Sequence, residues 1–285
     1  MSSASRDVTV PDEEVERETP GVGTYADVNG IKLYYEIHGA GRPFVALHGG
    51  LGASSMFDPI MPALTKGHQV ITVDLQGHGR TADIDRPISV QLMADDIAAL
   101  IKYLKLDRPD IMGYSLGGGV ATFVAIRHPE LIRKAVIISV NFTRKAIYPE
   151  MLAQQEQVGP QAAEAMKQTP MYQLYASIAP RPEDWPRLLG KLGAAMKDDF
   201  DYSKEIATIK APTMIVAGDS EMFAPTHAAE FFGLLGGGKQ DGGWDGSGRP
   251  KSRLAILPGT THYAILDAPG LPEMVIRFLD EPEPK

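Results

Sequence analysis

The sequence predicts an α/β fold, a mostly parallel β-sheet covered by helices. Three observations carry that expectation. Short apolar runs alternate with segments of helical periodicity from about residue 43 to residue 140, the order that builds a parallel sheet from strand–helix–strand crossovers. The run Pro43 to Leu47 is continuously apolar, as burial on both faces of a sheet requires. One strand-to-helix junction reads Gly113-Tyr114-Ser115-Leu116-Gly117. A serine on so tight a turn needs glycine or a very small residue two positions to either side, because a larger side chain collides there.

Composition narrows the function classes. The 285 residues suit one α/β domain with an insertion. The net charge of −8 and the lack of a Lys/Arg-rich run speak against nucleic acid and anionic membrane as partners. Without cysteine there is no disulfide, no thiolate metal site and no Cys nucleophile. No His-x-His or His-x-x-x-His pair offers a metal site. No apolar run approaches the roughly 20 residues that span a bilayer, and Met1 to Asp7 lacks the apolar stretch of a secretion signal. The expectation is a cytoplasmic protein acting on a small-molecule substrate, with no cofactor and no metal.

Residues 1–22 carry Asp12, Glu13, Glu14, Glu16 and Glu18 close together and predict a mobile acidic tail. Tyr25 to Val28 and Ile31 to Ile37, joined by Asn29-Gly30, predict a β-hairpin. The strand ending at Leu47 runs into His48-Gly49-Gly50-Leu51-Gly52, where glycines let the backbone turn and present N–H groups to a ligand. Ser54 to Leu64 predicts a helix made irregular by Pro59 and Pro62. Gln69 to Val73 predicts a strand, and the loop Asp74 to Thr81 follows it. His48, Asp74 and His78 are expected to hold these loops rather than to do chemistry.

Val90 to Tyr103 has helical periodicity, Asp110 to Met112 is the strand before Ser115, Leu116 to Arg127 is the helix after it, and Ala135 to Val140 is a further strand. The alternation then stops. Asn141 to about Thr208 carries Met151, Met166, Met171, Tyr175, Trp185 and Met196 among others at helical spacings. This predicts a helical cap over residues 141–208, inserted between core segments 23–140 and 209–285. Some of its apolar side chains are expected to shape a pocket, where Met adapts to irregular surfaces. Pro212 to Ala217 resumes the strand pattern, and a loop of residues 218–225 follows. Thr226 to Leu235 predicts a helix capped by Thr226. Residues 236–249 are a glycine-rich excursion, Ser252 to Leu257 the last strand, Pro258 to Tyr263 its loop, and Leu271 to Leu279 the closing helix.

The order of reactive residues is Ser, then Asp or Glu, then His, the order associated with this kind of turn. Ser115 is the candidate nucleophile, and it needs a base because its hydroxyl is weak at neutral pH. Of seven histidines, His262 is the candidate base, because it follows the last strand. A carboxylate must hold the imidazole, and both Asp219 and Glu221 lie in the loop after an earlier strand. The N–H groups of Leu116 and Gly50 are candidate oxyanion donors.

With these pieces in place the chain resembles the α/β-hydrolase superfamily over roughly residues 24–280. The resemblance rests on HGG at 48–50, DLQGHGRT at 74–81, GYSLGG at 113–118, GDSEMFAP at 218–225 and GTTHY at 259–263. It implies an eight-stranded, mostly parallel sheet with a helical cap after the sixth strand. It also implies Ser115 as nucleophile, His262 as base, and Gly50 and Leu116 as oxyanion donors. Relatives commonly read Gly-Asp-x-Asp-x-x-x-Pro, where the second acid serves. Glu221 holds that position, four residues before Pro225, so Glu221 is favoured over Asp219. Glutamate is a departure that asks the loop or His262 to shift.

Haloalkane dehalogenases and epoxide hydrolases of this superfamily carry aspartate at the elbow, and Ser115 speaks against both. The expected activity is hydrolysis of a small, largely apolar carboxylic ester through an acyl-enzyme. The alternatives are carbon–carbon hydrolysis, lactone opening or perhydrolysis on the same residues, or ligand binding without turnover. Arg144 is the one candidate cation for an acidic dienol substrate.

Overall fold

The computed structural model describes residues 23–282. The predicted acidic tail, residues 1–22, lies outside the described residues. The strands in chain order are β1 (Thr24–Val28), β2 (Ile31–Gly39), β3 (Arg42–Leu47), β4 (His68–Val73), β5 (Asp110–Tyr114), β6 (Ala135–Ile138), β7 (Thr213–Ser220) and β8 (Arg253–Thr261). They form one sheet in the order β1-β2-β4-β3-β5-β6-β7-β8. β1 pairs with β2, and β2 with β4, antiparallel; the other neighbours are parallel. Asn29 and Gly30, at φ 48° and 78°, make the two-residue turn between β1 and β2, as the primed hairpin turns require.

The helices are α1 (Met61–Leu64), α2 (Val90–Tyr103), α3 (Leu116–Arg127), α4 (Pro149–Gln155), α5 (Pro170–Ile178), α6 (Trp185–Lys197), α7 (Ser203–Ile206), α8 (Pro225–Leu234) and α9 (Leu271–Asp280). Central strands bury both faces, so successive residues feed different cores. Val45, Leu47, Ile111, Ile137 and Ile215 face the core packed by α2 and α3. Phe44, Ala46, Met112, Val136 and Met214 face the core packed by α1 and α9. The sheet is thereby clamped between two helical layers.

Several predicted boundaries move. The predicted helix over residues 54–64 is a 3-10 turn, Ser54–Phe57, followed by the short α1; Pro59 lacks the N–H that would have carried the helix through. Thr226 is not the cap of α8. That helix starts at Pro225 behind Ala224, where proline's fixed φ suits a first helical position. The strands β7 and β8 run further than their apolar runs suggest. Ser220 pairs with Thr261 after a register shift at Gly218/Ser220, so His262 leaves directly from a strand end instead of from a loop.

Between β6 and β7 the described residues form helices and turns, with two isolated bridges, Thr143↔Asp201 and Ile147↔Phe223, and no named strand. Trp185 is buried at the centre of this segment. Its Nε1–H donates to the Ala163 carbonyl at 3.2 Å, and Tyr172 and Tyr175 pack against its ring. Met171, counted among the predicted apolar stripe, is exposed. The helix α6 is tied to the loop before α2: Arg187 Nε and Lys191 Nζ each lie 2.7 Å from the buried Asp83 carboxylate. Residues 236–249 contain no helix or strand, and Trp244 stands fully exposed there.

Candidate active site

Ser115 sits between β5 and α3 at φ 52° and ψ −113°, a strained conformation for a residue with a Cβ. Its neighbours are glycines for a steric reason. A Cβ on Gly113 would lie 2.0 Å from the Gly117 carbonyl oxygen, and one on Gly117 would lie 2.3 Å from that of Leu47. The turn is held by backbone bonds: Ser115 N–H to Ile138 O at 2.9 Å and Gly117 N–H to His48 O at 3.1 Å. The second bond ties the turn to the glycine loop after β3. Leu116 is the first residue of α3, so its N–H lies at the helix N-terminus with no carbonyl one turn back.

Gly49 and Gly50 differ. A Cβ on Gly49 would meet the Tyr114 ring at 2.7 Å, whereas Gly50 faces open space and lines the same cavity as Ser115 and Leu116. The neighbouring His48 is fully buried. Its Nε2 accepts the Leu75 N–H at 3.0 Å, and its Nδ1 lies 2.7 Å from the Gly49 carbonyl. A backbone N–H can only donate, so Nε2 is unprotonated and the ring is neutral, with its proton on Nδ1. Burial holds the His48 pKa below the ordinary value. His78 is also buried, with its Nδ1 2.9 Å from Gln76 O, and burial pushes its pKa down to about 3. Asp74 accepts the Ser54 N–H and hydroxyl at 2.6 Å each and the Arg80 N–H at 2.7 Å. These three side chains fix the loops around the turn.

His262 begins the 3-10 turn after β8. Its Nε2 lies 3.1 Å from Ser115 Oγ and its Nδ1 lies 2.8 Å from Glu221 Oε2. The main chain at this histidine is fixed by the Tyr114 hydroxyl, which donates to the His262 carbonyl at 2.8 Å. Glu221 follows β7 with its side chain wholly buried. Burial raises its pKa, but the His262 ring, the Ser139 hydroxyl and the Gly218 N–H outweigh burial and hold it below the ordinary glutamate value. With Nδ1–H donated to that carboxylate, Nε2 is left to accept the serine proton.

Asp219 takes no part in this chain. Its exposed carboxylate accepts N–H groups from Gly259 at 2.9 Å and Thr260 at 3.2 Å, and the Ser220 hydroxyl at 3.1 Å. The Gly259 N–H, above all, holds its pKa below the ordinary range. Asp219 thus extends the pairing of β7 with β8 and places the strand end that carries His262. Sequence reasoning overlooked Ser139. Its hydroxyl donates a hydrogen bond to Glu221 Oε1, and nothing in its local pattern marks it.

A cavity of about 280 Å³ opens on Ser115. Gly50, Leu116, Ser139, Phe142 and Phe231 line it, together with Leu192 and Met196 of α6. No lysine, arginine or histidine is among the described residues that line it; Asp198 is the one charged residue there. Arg144, the candidate cation for an acidic substrate, is not among the lining residues and is engaged with Glu156 and the Met196 carbonyl at 3.2 Å each. Among the described residues no group of three or more His, Asp or Glu side chains is placed to hold a metal ion. No helix among them is long and apolar enough to cross a membrane.

A family model for the alpha/beta hydrolase fold matches residues 42–168. The AB hydrolase superfamily protein YisY of Bacillus subtilis is 30% identical over 220 residues, covering 68% of this chain and 80% of that protein. Among solved structures, the enol-lactonase of Burkholderia xenovorans LB400 superposes with a TM-score of 0.68 at 22% identity, over 90% of this chain and all of that one. The carboxylesterase CesB (YbfK) of Bacillus subtilis does so with a TM-score of 0.70 at 20% identity, over 92% of each chain. At such identities the structural likenesses concern the fold. Together with the relative and the family model, they place this chain in the α/β-hydrolase superfamily, as a hydrolase of that fold.

Proposed function

We propose that this hydrolase cleaves small, neutral, largely apolar carboxylic esters through an acyl-serine intermediate. The observation that carries the reading is the linear chain Ser115 Oγ, His262 Nε2, His262 Nδ1, Glu221 Oε2, with contacts of 3.1 and 2.8 Å. Ser115 Oγ attacks the ester carbonyl while its proton passes to His262 Nε2. The Glu221 carboxylate stabilises the imidazolium so formed. The N–H groups of Gly50 and Leu116 receive the oxyanion; loss of one such donor typically costs about 100- to 1000-fold in rate. As the tetrahedral adduct collapses, the carbon–oxygen bond to the leaving group breaks and His262 returns the proton to the alkoxide. Water then attacks the acyl-enzyme with His262 again as base, releasing the acid and restoring Ser115.

Cavity chemistry supports the substrate class. About 280 Å³ lies at the small end of ligand pockets, which run from roughly 300 Å³ upward. Its walls are mainly aliphatic and aromatic, and an acidic substrate finds no cation there. That weighs against acyl-dienolates and hence against carbon–carbon hydrolysis. Residues 141–208 act in this reading as the cap, with Leu192 and Met196 bounding the acyl site.

The test is a panel of p-nitrophenyl esters from acetate to decanoate, run on wild type and Ser115→Ala. Turnover favouring short chains and absent from the variant supports the reading. An equal rate in both proteins overturns it. If the panel is silent, labelling of wild type but not of Ser115→Ala by a fluorophosphonate probe would leave the nucleophile standing and move the substrate class.

A further inference from the structure

We infer that Ser139 is a positioning residue for the carboxylate of Glu221, an inference that rests on the proposed role of Glu221 as the acid. The partners of that carboxylate divide cleanly. Oε2 faces His262 Nδ1 at 2.8 Å and the Met222 N–H at 3.3 Å, whereas Oε1 receives the Ser139 hydroxyl and, at 3.4 Å, the Gly218 N–H. A fully buried carboxylate stays ionised and still only when both oxygens are supplied with donors. Among the described residues the Ser139 hydroxyl is the one side-chain donor to Oε1, on the side away from the histidine. It stops the carboxylate from rotating about its last bond and withdrawing Oε2 from His262.

The backbone makes the same point independently. Ser139 stands at φ 57°, a left-handed conformation that glycine adopts freely and serine does not. Glycine here would relieve that strain while losing the Cβ and the hydroxyl; alanine would lose the hydroxyl alone. The two residues at this strand end also bind both neighbouring strands. The Ile138 carbonyl accepts the Ser115 N–H at 2.9 Å, and the Ser139 N–H donates to the Val216 carbonyl at 2.8 Å. The end of β6 therefore reaches the nucleophile on one side and the acid on the other, and the left-handed turn at Ser139 aims the hydroxyl at the acid. The longer glutamate side chain is what brings a carboxylate from the end of β7 into simultaneous reach of Ser139 and His262.

The experiment compares Ser139→Gly, Ser139→Ala, Glu221→Ala and Ser139→Gly/Glu221→Ala on the p-nitrophenyl ester that wild type turns over fastest. Removal of a charge-assisted donor predicts a fall in kcat of about 10- to 100-fold in both single serine variants, with KM within about twofold of wild type. Ser139→Gly is expected to keep or raise the wild-type Tm, because it relieves the backbone. In the Glu221→Ala background, Ser139→Gly is expected to cost nothing further. A kcat within about twofold of wild type in either serine variant, while Glu221→Ala has lost activity, would overturn the inference and leave the acid reading intact. An undiminished loss in the Glu221→Ala background would also overturn it, since the hydroxyl would then act elsewhere. Wild-type kcat in Glu221→Ala would be a separate result: it removes the acid reading, and the role of Ser139 falls with it. If Ser139→Gly does not fold, Ser139→Ala carries the same comparison.

Discussion

Two carboxylates two residues apart do different work because one is buried beside an imidazole and the other is wrapped by backbone N–H groups in solvent. Glu221→Gln keeps the shape but gives up the charge that, in the proposed reaction, stabilises the imidazolium. We expect kcat to fall by about 10³- to 10⁴-fold, as for loss of the acid in serine triads. Asp219→Asn keeps an acceptor for Gly259 or Thr260 and leaves the chain at His262 untouched, so kcat is expected to stay within about tenfold of wild type. Steady-state kinetics on one ester settles the ranking, and the reverse order would assign the acid to Asp219. The offset from Pro225 favoured Glu221, while the length of a glutamate side chain counted against it. What separates them is which one lies across from His262, a residue 41 positions away from Glu221.

At the scale of elements, the strand–turn–helix unit around Ser115 depends on two backbones in near contact. A methyl group on Gly117 would sit 2.3 Å from Leu47 O and 2.5 Å from His48 O, and both are main-chain atoms with little room to yield. Gly117→Ala is expected to destabilise the protein by about 3 kcal/mol or more, the range of severe overpacking, read as a drop in Tm. Gly50→Ala meets nothing within 4 Å and should melt with wild type, although both positions are glycines beside the same serine. A second element-scale dependence lies in α6, which Asp83 ties to the loop before α2 through Arg187 and Lys191. Asp83→Asn removes the charge that both cations face. Faster amide exchange along α6 than along α3 would register the loosening, and unchanged exchange in α6 would show that the Asp83 charge is not what holds it, the bonds of Arg187 and Lys191 to the Ile84 and Arg86 carbonyls sufficing with the apolar packing.

The whole molecule carries a pH dependence set by histidines that fold neutral. Burial lowers the pKa of His48, His78 and His227, the second to about 3. Each accepts more readily a proton in the unfolded chain, where the ordinary value is near 6.5. Between that value and the folded one the unfolded state binds more protons, so stability rises with pH and is lost on acidification. The slope is about 1.4 kcal/mol per pH unit for each such histidine well inside its window. Glu221 adds to the loss at lower pH. Its folded pKa is depressed, so its contribution is present above the unfolded glutamate value and disappears as pH falls through the folded one. Urea unfolding at pH 7, 6 and 5 should show a falling free energy, and His78→Gln should flatten the slope; equal slopes would mean that His78 does not stay neutral on folding.

Local order in this chain is legible because it has local causes. The helices Val90–Tyr103 and Leu116–Arg127 end where periodicity and the following residues say they end, and the Asn-Gly hairpin and glycine-flanked serine declare turns that only a few backbones satisfy. The α/β class and the parallel sheet follow from the same alternation of periods. The pairing of Ser220 with Thr261, the engagement of Arg144 by Glu156, the exposure of Met171 and the hydroxyl of Ser139 on Glu221 have no local cause. They arise where strand ends distant in sequence meet, and there contact and burial depend on the whole sheet being assembled. Sequence alone therefore determined most of the elements, though not all their bounds, their class and the candidate serine and histidine. Tertiary structure alone decided which carboxylate faces the histidine, what holds that carboxylate, and the size and charge of the cavity above it, since distances across the sheet are set by packing and not by neighbours along the chain.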